Sequence, residues 1–201
     1  MPVQFLTCRV TKSTEEDYQK LQRVIDYLHC TKELKLRFNI GECVDLICYV
    51  DASHAVHDDY KSHTGVVITI NGRSMVHFRS TKQSLNGVSS TESELISVSE
   101  ALPQIIYVKE FLEEILNSNV PAVLMQDNTS TMRLIEAGKP LSERTRHINI
   151  RFFYVHQYVT DGILKIKYCP TKSMRADGFT KPLQGKEFIE FRDYILGYLE
   201  D

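Results

Sequence analysis

The chain predicts an α/β fold with a mixed five-stranded sheet, antiparallel at strands one to three and parallel beyond, and helices on both faces. Three observations carry this expectation. Val44–Asp51 is a nearly continuous apolar run, as a strand covered on both faces requires. Thr64–Ile70 and Arg73–Phe78 flank Asn71-Gly72, a pair that favours a type I′ hairpin turn. From Ser90 onward, helical stretches alternate with short apolar runs.

Taken in order, residues 1–43 differ in texture from the rest. Ser13-Thr-Glu-Glu16 has capping-box spacing, and Leu21, Val24, Ile25 and Leu28 recur at helical intervals. One amphipathic helix from about Thr14 to Cys30 is expected, either docked on the main domain or belonging to the tail of a larger neighbour. The first three strands follow from Val44. A helical stretch then runs from Ser90 to about Leu116, and Pro103 predicts a kink there or two consecutive helices. Val120–Gln126 is the fourth strand, and Asp127-Asn-Thr-Ser opens a helix ending near Gly138. Another helix spans about Arg146 to Thr160 and is stopped by Asp161-Gly162. Ile163–Tyr168 is the fifth strand, a helix carrying Asp177 comes next, and a last helix covers about Gly185 to Leu199.

Composition bounds the possibilities. The 201 residues suit one domain plus an appendage, and 42% apolar with 25% charged residues is a globular profile. No apolar run approaches the roughly 20 residues of a membrane helix, and the N-terminus lacks the layout of a signal peptide. An intracellular protein with no membrane association is expected. The five cysteines are scattered without a C-x-x-C pair, so buried reduced thiols are the expectation. Net charge is −2, less basic than a tight nucleic-acid binder, which suggests that other domains supply part of the grip.

Four acids stand out. Asp51 and Asp127 close apolar runs, while Glu94 and Asp177 fall on helical segments. Asp51 and Asp127 end strands one and four, which would be neighbours at the crevice where such sheets bind ligands. Carboxylates from four elements can converge on a pair of hard cations, and oxygen-only ligands favour Mg²⁺ or Mn²⁺ over zinc. In Thr91-Glu92-Ser93-Glu94 the cap occupies Glu92 and leaves Glu94 free. Each acid also has a plainer reading: an Asp at a strand end is often only a cap, and Asp127-Asn128 can serve the helix after it. Four such patterns in order outweigh that reading.

The ordered series Tyr-Val-Asp51-Ala-Ser, Lys61-Ser-His-Thr-Gly65, Lys82-Gln83, Ser-Ser-Thr-Glu-Ser-Glu94, Gln126-Asp-Asn128, Arg146-His-Ile-Asn-Ile150, Tyr168-Cys-Pro-Thr171 and Ala176-Asp-Gly-Phe-Thr-Lys-Pro-Leu183 resembles the ribonuclease H domain of copia-type LTR retrotransposon polyproteins. Residues 1–43 are similar to the end of the preceding reverse transcriptase. The resemblance implies three parts: a reverse-transcriptase remnant at 1–43, an RNase H-like domain at 44–183 and a C-terminal helix at 184–201. It implies endonucleolytic hydrolysis of the RNA strand of RNA/DNA hybrids, with Asp51, Glu94, Asp127 and Asp177 as catalytic metal ligands for two Mg²⁺ or Mn²⁺. Asp51 would bridge, Asp127 and Glu94 would hold one ion, and Asp177 would complete the other. No polymerase activity and no small-molecule cofactor are expected. The implied partners are the hybrid, the reverse transcriptase and other polyprotein domains. The implied location is a cytoplasmic virus-like particle or the nucleus.

Related nucleases often carry a mobile histidine before the final helix; between Cys169 and Asp177 this sequence has only Lys172 and Arg175 as basic groups. Ser53, Ser62, Lys82, Gln83, Asn128 and His147 are candidates for substrate contact, since a hybrid is read through its 2′-hydroxyls and phosphates. Lys82 is equally readable as an ordinary exposed lysine, and His147 as a helix-start residue. His54, His57 and His63 read as a solvated loop. Two rival classes remain: a degenerate module that binds hybrid or docks on a polymerase, and an integrase-type or junction-resolving DNA nuclease. The latter typically gather three acids rather than four.

Overall fold

The computed structural model describes residues 2–138 and 146–198, the side chains of 146–150 and of Phe152 excepted. The elements are α1 (Pro2–Thr7), α2 (Glu15–Cys30), β1 (Leu46–Ser53), β2 (His63–Ile70), β3 (Ser74–Lys82), α3 (Ser90–Leu116), β4 (Ala122–Gln126), α4 (Thr129–Ala137), α5 (Arg146–Thr160), β5 (Lys165–Tyr168), α6 (Asp177–Thr180) and α7 (Gly185–Ile195). The sheet order is β3-β2-β1-β4-β5. β1 pairs antiparallel with β2 and β2 with β3, while β1–β4 and β4–β5 are parallel. This is the expected mixed sheet. Asn71 and Gly72 both have positive φ (55° and 71°), and the Arg73 N–H donates to Ile70 O, as a type I′ turn requires.

The two faces of the sheet carry different helices. Leu46, Cys48 and Val50 of β1, with Val66, Ile68 and Leu124, meet Leu95, Val98, Leu102 and Ile105 of α3. Each such fully buried aliphatic contributes about 1.5–3 kcal/mol. On the opposite face Val67, Tyr49 and Met75 are covered by Phe179 of α6 and by Phe191, Tyr194 and Ile195 of α7.

Three expectations are corrected. Of the kink or break expected at Pro103, the break does not occur: α3 is one helix through the proline, because its buried stripe continues onto β1 on both sides while Pro103 faces solvent. The cap of α2 is Thr14 with Asp17, one residue later than predicted; Asp17 is also buried against Arg9 (3.0 Å), which favours this partner over Glu16. α7 ends at Ile195 instead of near Leu199, because Gly197 adopts φ 75° and a side chain there would meet Arg37 O.

Residues before β1 are tied to the C-terminal helix. The Tyr27 ring meets Phe188 edge-on at 5.4 Å, the Arg37 N–H donates to Leu196 O, and the Arg37 guanidinium lies 4.0 Å from the Tyr198 ring centroid. Leu21, Ile25 and Leu28 of α2 nonetheless remain 43–60% exposed. Among the described residues, no helix is long and apolar enough to cross a membrane.

Candidate active site

The crevice forms where β1 and β4 part. Their parallel ladder stops at Tyr49↔Met125, after which β1 continues beside β2 and β4 turns into α4. β1 thus runs two residues past Asp51, and the acid sits inside the strand instead of closing it. With a side-chain period of two, Asp51 and Asp127 share the face of Tyr49 and Met125, beneath α6. Glu94 comes from α3 on the other face, and its Oε1 accepts the Ala52 N–H (3.2 Å) across the edge of the sheet. One oxygen each of Asp51, Glu94 and Asp127 lie within 4.8 Å of one another.

Each carboxylate is held by a named donor. The Thr180 hydroxyl donates to Asp51 Oδ2. Gln126 Nε2 donates to Glu94 Oε2 (3.4 Å), while Gln126 Oε1 accepts the N–H groups of Asp127 and Asn128. Thr171 Oγ1 donates to Asp127 Oδ2 (2.9 Å). Asp177, at the start of α6, lies outside the group of three. Its Oδ1 is buried without an aligned hydrogen-bond donor and is approached by Lys181 Nζ at 2.8 Å.

Burial pushes the Asp51 carboxyl up to about 6; the Thr180 hydroxyl opposes this, and Asp177 and Asp127 add to it. Burial also holds Glu94 well above the usual carboxylate range, with the charges of Asp51 and Asp127 acting in the same direction. Crowded, desolvated carboxylates of this kind favour protons or hard cations. The donor set is all oxygen, and Asp177 keeps a buried oxygen without an aligned donor, so the residues present fit divalent ions of the Mg²⁺ or Mn²⁺ type.

The candidate contact residues separate into two groups. Ser53 and Lys82 lie at partly exposed positions: Ser53 Oγ donates to Thr180 O (3.3 Å), and Lys82 pairs with Asp59 (2.8 Å). Asn128 caps α4, its Oδ1 accepting the N–H groups of Ser130 and Thr131; Asp127 is not that cap. Ser62 and Gln83 lie inside the fold: Ser62 is fully buried against Ser93, and Gln83 Nε2 donates to Thr64, Ser93 and Ser97. The His147 side chain lies outside the described residues. The histidine loop is also tighter than expected. His63 is buried between His57 (3.0 Å) and Ser80 (2.9 Å), and the Ser80 hydroxyl donates to Phe179 O in α6.

Gly65, Thr171, Thr180 and Lys181 were present in the quoted motifs without an assigned role. Gly65 stands opposite Asp51 in the β1–β2 register, and a Cβ there would lie 2.7 Å from Thr180 Cγ2 and 2.8 Å from Ala176 O. The absent side chain lets α6 settle onto the sheet.

Proteins of known sequence place this chain. No family model matches it. It is 30% identical over 184 residues to the retrovirus-related Pol polyprotein from transposon RE1 of Arabidopsis thaliana, covering 90% of this chain and 12% of that protein. Against the transposon Ty1-JR1 Gag-Pol polyprotein of Saccharomyces cerevisiae it is 30% identical over 143 residues, covering 71% and 8%. Its homologues are retrotransposon Pol polyproteins. The chain spans about an eighth or less of the length of these relatives. Among solved structures, the foamy viral protease-reverse transcriptase in complex with RNA/DNA hybrid aligns with a TM-score of 0.50 and 16% identity, over 80% of this chain and 19% of that one. At that identity the likeness concerns the fold, which is the RNase H fold. A chain with homologues among retrotransposon Pol polyproteins and an RNase H-like fold thus carries an acidic cluster at the crevice between its central parallel strands.

Proposed function

We propose that the chain hydrolyses the RNA strand of RNA/DNA hybrids endonucleolytically, as the RNase H domain of a copia-type Pol polyprotein. The observation that carries this reading is the convergence of carboxylates from β1, α3 and β4 within 4.8 Å, with Asp177 of α6 beside them. Two divalent cations, when bound, supply an activated water and neutralise the leaving 3′-oxygen. Asp51, Glu94 and Asp127 would hold one such ion, and Asp51 with Asp177 a second. Thr180 fixes Asp51 by donating to its Oδ2. Gln126 and Thr171 orient Glu94 and Asp127, the role supporting partners play around ligating carboxylates.

Ser53, Lys82 and Asn128 at the rim are the residues offered to the sugar and phosphate oxygens of the hybrid. Residues 1–43 are read as the end of a reverse transcriptase, 44–183 as the nuclease domain and 184–201 as its C-terminal helix. The exposed Leu21, Ile25 and Leu28 face of α2 suits a polymerase segment of the same polyprotein. An intracellular site of action, in a virus-like particle or the nucleus, follows from this reading, and no polymerase activity is expected of these residues.

The test is cleavage of a labelled hybrid in Mg²⁺, beside duplex DNA and duplex RNA, with Asp51→Asn and Glu94→Gln variants. Hybrid-selective cleavage lost in both variants supports the reading. Hybrid binding without cleavage by the folded wild-type chain refutes catalysis and leaves a binding module.

A further inference from the structure

Asp177 and Lys181 are bound together by local geometry. Pro182 disfavours helical backbone in the residue before it, so the helix opened by Asp177 stops after one turn, with Lys181 extended at φ −118° and ψ 145°. The Lys181 N–H still closes that turn onto Asp177 O (2.7 Å), which places the lysine four residues on and over the same face as the aspartate. Its ammonium then reaches Asp177 Oδ1 at 2.8 Å. Among the described residues, Lys181 is the only basic side chain paired with any of the four acids. Arg175, the nearest basic residue in sequence, is instead stacked 4.1 Å from the Tyr194 ring centroid.

We propose that Lys181 is a built-in counter-ion of the acidic cluster: its ammonium neutralises Asp177 in the metal-free protein and is displaced when a divalent cation enters. The inference rests on reading the cluster as a metal site. Two features make the lysine displaceable. Its side chain is 45% exposed, so it can turn into water, and a pair so exposed is individually weak. Asp177 Oδ1 also has no partner other than this ammonium among the described residues, so moving the lysine frees it. A divalent ion offers twice the charge to the same oxygen. Lys181 therefore sets the concentration at which Asp177 becomes available, and keeps the crowded acids tolerable until then.

The experiment measures Mn²⁺ binding to the full 201-residue chain by calorimetry and by the spin-resonance signal of free Mn²⁺, for wild type, Lys181→Met, Asp177→Asn and the double variant. Lys181→Met is expected to bind Mn²⁺ about three- to tenfold more tightly and to melt lower than wild type in EDTA, the scale of one partly screened charge. In the Asp177→Asn background the same substitution should change both quantities by clearly less, since only the longer-range attraction to Asp51 and Asp127 remains. Mn²⁺ affinity unchanged or weakened by Lys181→Met overturns the inference alone. A wild-type chain that binds no Mn²⁺ overturns the metal-site reading and this inference with it.

Discussion

Gly65 faces Asp51 across the β1–β2 ladder, and the space its missing side chain leaves is filled by Thr180, whose hydroxyl donates to Asp51. A backbone pairing, a close approach and a hydrogen bond thus connect β2, α6 and the central acid. Gly65→Ala is expected to push α6 off the sheet, since the obstructing atoms include the Ala176 carbonyl. The expected cost is about 1–3 kcal/mol of stability, as for other overpacked cores. Hybrid cleavage should fall by more than the small unfolded fraction explains; a melting curve and a cleavage assay on the same preparation check this.

Thr180→Val removes the donor to Asp51 at nearly constant volume, whereas Thr180→Ser keeps it. The valine variant should lose about 10–100-fold in Mn²⁺ affinity or activity, the range seen when a ligand's supporting partner is lost. The serine variant should remain within a few fold of wild type. Equal behaviour of the two would assign Thr180 to packing alone.

A divalent ion should stabilise the folded chain through Asp51, Glu94 and Asp127. At a hundredfold excess over its dissociation constant the gain is about 2.7 kcal/mol, visible as a rise in melting temperature that EDTA reverses. Asp51→Asn and Asp127→Asn should each abolish most of that rise. Thermal melts with and without Mg²⁺ test it.

The pH dependence of stability in EDTA should reflect opposed groups, the raised carboxyls of Asp51 and Glu94 against the lowered imidazole of His63. Burial raises Asp51 to about 6, so the folded chain binds this proton more tightly than the unfolded chain, and stability falls as pH rises from about 4 to 6. Burial lowers His63 to about 4, so its contribution is complete above about 6.5 and is lost as pH falls towards 4. Each effect is on the order of 3 kcal/mol and they cancel in part across the same window. Asp51→Asn should therefore steepen acid destabilisation, and His63→Asn should flatten it. Denaturant melts at pH 4, 5, 6 and 7 separate the two slopes.

Much of this was legible in one dimension. The Val44–Asp51 run, the Asn71-Gly72 pair and the Asp161-Gly162 stop marked β1, the first hairpin and the end of α5 because their signals are local: apolar pattern and backbone freedom. Glu94 over Glu92 was also readable, since the first turn of α3 consumes Glu92, whose Oε2 accepts the Val88 N–H while Ser89 receives the Glu92 N–H. At Pro103 two consecutive helices did not form, because a local breaking preference was outweighed by burial on both sides of it.

The sequence by itself determined the order of elements and which acids they carry, because both depend on contacts a few residues apart. Only the tertiary structure decided that Ser62 and Gln83 are interior struts, that Thr180 reaches Asp51 through the gap at Gly65, and that His63 braces α6 through Ser80. Those relations join residues 10 to 129 positions apart. They arise from how α3 and α6 are laid on the two faces of the sheet, a packing outcome in which no single segment contains both partners.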